Sequence, residues 1–191
     1  ACQQMQAWIR VGVPEMRMAV NLSVQQIAHE RLIKSVEEAL SDSGLSADCL
    51  ELEITENFVI QQPEVSVGKL TYLREQGVTL AMDDFGTGYS SLSYLKKLPI
   101  DRLKIDRSFV KDIGIDRSDE SIIKATLAMC DSLGLEVVAE GVETTEQLNF
   151  LTENGCQIIQ GYYYSKPLPP EALMSFICNQ QALVDEAKER L

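Results

Sequence analysis

The chain has one histidine, His29, among 191 residues. With a single imidazole and no partner for it, Ser-His and Cys-His nucleophilic catalysis are excluded. His29 itself falls in VQQIAHERL, a helical segment where a surface position is expected. Basic side chains are scarce too: 17 Lys+Arg stand against 29 Asp+Glu, a net charge of −12. That balance argues against duplex DNA, because phosphate binding needs clustered Lys and Arg. No run of about 18 apolar residues occurs, so no membrane segment is expected. The cysteines, at positions 2, 49, 130, 156 and 178, form no zinc or redox spacing. They read as buried free thiols in a reducing, cytoplasmic compartment. The opening ACQQMQAWIR lacks a charged n-region, an apolar h-region and a helix N-cap. It reads as the inside of a helix, so no signal peptide is expected and the fold is expected to start upstream of Ala1.

What is present is an alternation. Short apolar runs recur at Met18–Leu22, Leu50–Ile54, Val78–Met82, Leu103–Ile105, Val137–Ala139 and Gln157–Ile159. Each has strand length and β-branched or leucine-rich character. Helical patterns lie between them. One runs through Val24, Ile27, Ile33, Val36 and Leu40, and another through Val65, Leu70 and Leu73 to Gly77. A third joins Ile122, Ile123, Leu127, Cys130 and Leu133 and stops at Gly134, a glycine placed for a left-handed C′ position. Thr144 and Gln147 form a capping box that opens a helix running to Gly155. Strand then helix, repeated six times, predicts a parallel sheet with helical crossovers. On this pattern a doubly wound sheet and a (β/α)8 barrel both remain open. Residues 1–178 are expected to form the domain and 179–191 a polar helical tail.

The chemistry sits where the strands end. Asn21, Glu53, Asp83 with Asp84, Lys104, Glu140 and Gln160 each close or follow one apolar run. A barrel converges side chains from successive strand C-termini on one face, whereas a doubly wound sheet concentrates its site at one crevice. Six such strand ends therefore favour the barrel. Counting Glu56 and Glu143, six carboxylates face the single ammonium of Lys104, which leaves five negative charges. A confined site does not hold that charge without cations. Oxygen donors plus one amide, with no His or Cys, suit hard ions such as Mg2+ or Mn2+. Two divalent cations, a usual device for phosphodiester hydrolysis, would leave one negative charge. Tyr162, Tyr163 and Tyr164 read as packing residues.

These motifs carry a resemblance. VNLS (Val20–Ser23), LEITE (Leu52–Glu56), DDFGTGYSSLSYLKKLPID (Asp83–Asp101), LKIDRSFV (Leu103–Val110), AEGVE (Ala139–Glu143) and QGYYYSKPLP (Gln160–Pro169) resemble the bacterial EAL family. The resemblance implies a (β/α)8 TIM-type barrel that hydrolyses cyclic di-GMP to linear pGpG with two divalent cations. It implies metal ligation by Asn21, Glu53, Asp83, Asp84 and Glu140. Lys104 and Glu140 take catalytic roles on the water and phosphate, with Glu56 anchoring the loop after the Asp pair. Glu143, Gln160 and Lys104 face the substrate. It also implies a homodimer through that loop and the helix Tyr89–Lys96, and an upstream sensory or GGDEF domain. The chain departs from the family in one respect. Glu38-Ala39-Leu40 and Glu171-Ala172-Leu173 spell the family motif, but in helical patterns and without the Arg that follows it. The motif strand, with one metal ligand and a phosphate-contacting Arg, is expected upstream of Ala1, so the barrel is expected to be N-terminally incomplete and the 191 residues alone weakly active or inactive. A typical barrel of about 250 residues leaves room for two further βα units. Two rivals stand beside the hydrolase: a cyclic di-GMP receptor that does not cut its ligand, and an enolase-type lyase.

Overall fold

The structure is a computed structural model that describes residues 1–14, 16–56, 63–86 and 95–189. Each apolar run forms a strand: β1 (Met18–Leu22), β2 (Leu50–Thr55), β3 (Thr79–Phe85), β4 (Arg102–Ile105), β5 (Glu136–Ala139) and β6 (Ile158–Ile159). All pair in parallel and in chain order within one sheet. The helices are α1 (Cys2–Arg10), α2 (Val24–Ala28), α3 (Leu32–Ser43), α4 (Pro63–Glu75), α5 (Arg107–Val110), α6 (Arg117–Leu133), α7 (Thr145–Glu153) and α8 (Pro170–Glu189). A doubly wound sheet reverses its strand order at a switch point. This order never reverses, so the winding is that of a barrel, and among the described residues the sheet is open between β1 and β6. No helix among the described residues is long and apolar enough to cross a membrane.

Alternation along the strands separates two faces. Leu52, Ile54, Leu80, Met82, Leu103 and Ile105 are buried in one cluster with Leu70, Leu73, Val36 and Ile123 of the helices. Each such side chain contributes about 1.5–3 kcal/mol by leaving water. The opposite, inner face carries Asn21, Glu53, Asp83 and Lys104; the register sets Asn21 beside Glu53, with Asp83 two residues further along β3 than Ala81, the partner of Glu53. β3 extends past Met82 through Asp83 and Asp84 to Phe85, and its register with β4 shifts there.

Three expectations are corrected. The helix expected from Val24 to Leu40 is two helices, because α2 ends at His29, whose extended backbone (φ −68, ψ 136) breaks the turn. His29 is exposed at that C-cap, where its Nδ1 accepts the Arg31 N–H at 3.2 Å. Lys69 of α4 then donates to the Ile27, Ala28 and His29 carbonyls, each at 3.0 Å, and satisfies the helix end. In α6 the buried stripe is Ile123, Thr126, Leu127 and Cys130. Ile122 and Leu133 are 43% and 38% exposed: Ile122 lies one residue off that stripe, and Leu133 is the last residue of the helix. All five cysteines are free, but Cys178 is exposed on α8. α8 itself runs unbroken through Asn179. Thr144 and Gln147 form the expected capping box at α7, and Gly134 ends α6 in the left-handed conformation.

Two stability and reactivity outcomes follow from this packing. Lys69→Met removes a charged cap from three carbonyls and is expected to cost about 1.5–3 kcal/mol in urea unfolding. A change within error would show that water replaces the ammonium. Burial pushes the Cys130 thiol up to about 12, and it raises Cys156 as well. A disulfide reagent is therefore expected to label Cys178 at once and Cys130 and Cys156 only in denaturant, read by mass spectrometry.

Candidate functional site

Lys104 organises the inner face. It lies in the middle of apolar β4, flanked by the buried Leu103 and Ile105 that turn toward the helices, so its own side chain must turn inward. Ala81, the β3 residue paired with Glu53 and Arg102, is too small to block the way to β2. The Lys104 Nζ reaches Glu53 Oε1 at 2.7 Å, Glu140 Oε1 at 2.8 Å and Asp83 Oδ1 at 3.1 Å. Its side chain is 4% exposed. Burial pulls the pKa of the ammonium down, but hydrogen bonds to Glu140 and Glu53 override it and hold that pKa above the ordinary lysine value. The Glu140 carboxyl pKa is raised as well, by burial, against the pull of Lys104.

Asp83 and Asp84 occupy the end of β3. Asp84 takes a left-handed backbone, φ 56, which Asp tolerates better than most residues. Its N–H donates to Asp83 Oδ1 at 3.0 Å. Burial raises the Asp84 carboxyl pKa, and the neighbouring Asp83 charge adds to this. Oxygens of Asp83, Asp84 and Glu140 lie within 4.8 Å of one another. With Glu53, four carboxylates face one ammonium and leave three negative charges. An all-oxygen set with this charge suits a hard divalent cation rather than a soft one. The expected ring of six carboxylates thus contracts to four.

The other two carboxylates are held elsewhere. Glu56, 1% exposed, accepts the Gly86 N–H at 2.9 Å and ties the end of β2 to the loop after the Asp pair. Gly86 has φ 97, and a Cβ there would sit 2.7 Å from the Phe109 ring of α5, so only glycine fits the contact. Glu143 is exposed and pairs with Arg107 Nη2 at 2.7 Å. Asn21 ends β1 opposite Glu53, and Ser23 caps α2, so Asn21 is not needed as the cap. Gln160 lines a hollow of about 400 Å3 together with Glu53, Lys104 and Tyr164. Tyr162, Tyr163 and Tyr164 are 51%, 38% and 54% exposed rather than packed. Thr87–Tyr94, which holds most of the expected dimer contact Tyr89–Lys96, lies outside the described residues.

One part of the inner face went unread in the sequence. Below Lys104, Arg102 donates from Nη1 to Glu51 Oε2 at 2.8 Å and from Nε to Glu136 Oε2 at 2.6 Å. Arg17 adds a longer contact to Glu136 at 3.6 Å. Period-two charge, Glu51 with Glu53 on β2 and Arg102 with Lys104 on β4, is the signal that marks this layer.

Comparison with known proteins agrees with this geometry. The EAL domain family model matches residues 1–167. The cyclic di-GMP phosphodiesterase NbdA of Pseudomonas aeruginosa is 46% identical over 177 residues, covering 93% of this chain and 23% of NbdA. The chain spans about a quarter of the length of the curated relatives it matches. The c-di-GMP complex of the PaMucR phosphodiesterase superposes with a TM-score of 0.86 at 44% identity, over 91% of this chain and 70% of that one. The manganese/cy-diGMP complex of Klebsiella pneumoniae BlrP1 gives a TM-score of 0.78 at 34% identity, over 86% of this chain and 42% of that one. An inner-face lysine among strand-end carboxylates, a barrel winding and a family match over most of its length agree: this chain belongs to the EAL domain family.

Proposed function

We propose that this chain belongs to a divalent-metal-dependent phosphodiesterase that hydrolyses one phosphodiester of cyclic di-GMP to linear pGpG, and supplies most of its site. The observation that carries the reading is the Lys104 ammonium, buried within 3.1 Å of Glu53, Asp83 and Glu140 at the open end of the sheet. A protein that only bound its ligand has no need to bury a charged lysine among four carboxylates. Relatives support the substrate: NbdA is a cyclic di-GMP phosphodiesterase, and PaMucR and BlrP1 have been seen with the dinucleotide. The manganese in the BlrP1 complex supports divalent cations here.

Asn21, Glu53 and Asp83 would hold one cation, and Asp83, Asp84 and Glu140 a second, as Mg2+ or Mn2+. Bound cations supply Lewis acidity toward the phosphate and make water a better nucleophile at neutral pH. The protein's own groups do the rest. Lys104 Nζ donates to the attacking water and to a phosphate oxygen, where negative charge grows as the new P–O bond forms. Glu140, its carboxyl raised by burial, takes the proton of the water. The P–O3′ bond then breaks, and the 3′ oxygen takes a proton from solvent water to become the hydroxyl of pGpG, while Glu140 returns its proton to solvent. Glu56 fixes the loop after Asp84 through Gly86. Glu143 and Gln160 line the guanine side. Homodimerisation through residues 89–96, an upstream sensory or GGDEF domain, a cytoplasmic setting and a polar tail over 179–191 complete the proposal.

The test is product analysis of cyclic di-GMP incubated with Mg2+ or Mn2+. It compares this chain alone with a longer form carrying a Glu-Ala-Leu strand ahead of Ala1, since both Glu-Ala-Leu runs here lie in α3 and α8. Linear pGpG from the longer form, and little from the shorter, is expected. Tight binding without pGpG from either form would favour the receptor. Asp83→Asn is expected to lower kcat by about 100-fold or more, because it removes an oxygen ligand from the centre of the cluster. Near-normal turnover in that variant would remove Asp83 from the metal site. Glu56→Ala is expected to reduce turnover by about tenfold with Mn2+ affinity kept, measured by steady-state kinetics and metal titration; unchanged turnover would show that Gly86 needs no anchor.

A further inference from the structure

The inner face stacks two ionic layers, and we propose that the lower one positions Lys104: Arg102 occupies Glu51 and so keeps that carboxylate from competing for the ammonium. Glu51 and Glu53 are two residues apart on β2, and Arg102 and Lys104 two apart on β4. Such pairs share a face at a spacing of about 6.6 Å along the strand. A lysine ammonium on a flexible four-carbon stem can swing across that spacing, while a guanidinium fork is planar and fixed. Lys104 therefore has two carboxylates of β2 to choose between, and the choice is made by whatever holds the lower one.

Burial decides how strongly. The Arg102 side chain is 14% exposed and that of Glu51 is 6%. Without Arg102 the Glu51 carboxylate would be a buried, unpaired charge, the costly case for an ion inside a protein. Lys104 is a cation on the same face, two residues along β4 from Arg102. It would be drawn toward Glu51 and away from Glu140, which its ammonium meets at 2.8 Å. Glu136, the second partner of Arg102, exerts no such pull: its side chain is 57% exposed, and Arg17 also contacts it at 3.6 Å. Arg102 is thus a positioning residue, and Glu51 is the group it must neutralise.

The kinetic arm of the test rests on the cyclic di-GMP phosphodiesterase reading and uses the form that turns over cyclic di-GMP. Arg102→Met is expected to lower kcat by about tenfold or more with KM within about threefold. The double variant Arg102→Met with Glu51→Gln is expected to recover to within about threefold of the parent, because the competing charge is gone. Arg102→Lys, which keeps the charge and loses the fork, is expected to stay within about threefold. A double variant as impaired as the single one, or a tenfold loss in a folded Arg102→Lys protein, would overturn the proposal, since a purely structural strand clamp predicts both. The second arm needs no turnover. In a crystal structure of Arg102→Met, Lys104 Nζ is expected within about 3.5 Å of Glu51 and out of hydrogen-bond reach of Glu140. A Nζ that stays on Glu140 overturns the proposal even if the protein never cleaves the dinucleotide.

Discussion

An ammonium taken out of water costs several kcal/mol unless opposite charges and hydrogen bonds meet it. Lys104 meets three carboxylates from three strands, and the arrangement of those strands depends on that contact. β2, β3, β4 and β5 must lie in a staggered register, Glu53 beside Ala81, Asp83 beside Thr55 and Lys104 beside Val138, from which the side chains of Glu53, Asp83, Lys104 and Glu140 still meet. Ala81 must be small enough to let the lysine cross β3. The aliphatic residues on the other face must then be covered by helices, since each strand alternates sides. Because all six strands are parallel, their C-terminal ends share one rim, and the unreversed order makes β2, β3, β4 and β5 successive neighbours there.

The acidic charge of the chain is divided by use. Glu53, Asp83, Asp84 and Glu140 crowd one another and carry more charge than Lys104 offsets. Glu56 and Glu143, adjacent in the same motifs, are spent on Gly86 and Arg107. Glu51 and Glu136 are spent on Arg102. In the first group the oxygens of Asp83, Asp84 and Glu140 converge within 4.8 Å of one another, so a site with many acidic residues in its motifs presents a compact ligand set. Gly86, just after the Asp pair, is held from two sides, by the Glu56 carboxylate on its N–H and by the Phe109 ring against its Cα.

Strand positions, their parallel order and the residues at their ends were legible in the sequence because each has a local cause. Apolar runs of strand length, Gly134 and the Thr144–Gln147 box act within a few residues of themselves. Membership of the EAL family was legible for a related reason: its motifs are the strand ends, and the strand ends carry the chemistry. The break between α2 and α3 was not legible, because the Lys69 ammonium that caps it comes from 40 residues away. Nor did the period of α6 reveal that Ile122 faces out, since one residue of offset separates a buried stripe from a solvated one, or that Leu133 at the helix end is partly exposed.

Sequence alone determined the residue types of the site, the winding that gathers them and the family to which the chain belongs. Tertiary structure decided their allocation. Which carboxylate holds Lys104, which anchors the loop and which is neutralised by Arg102 depends on distances between strands that are far apart in the chain. Electrostatic energy falls with distance and with exposure, so identical glutamates only two or three residues apart, Glu51, Glu53 and Glu56, do three different things once the sheet has formed.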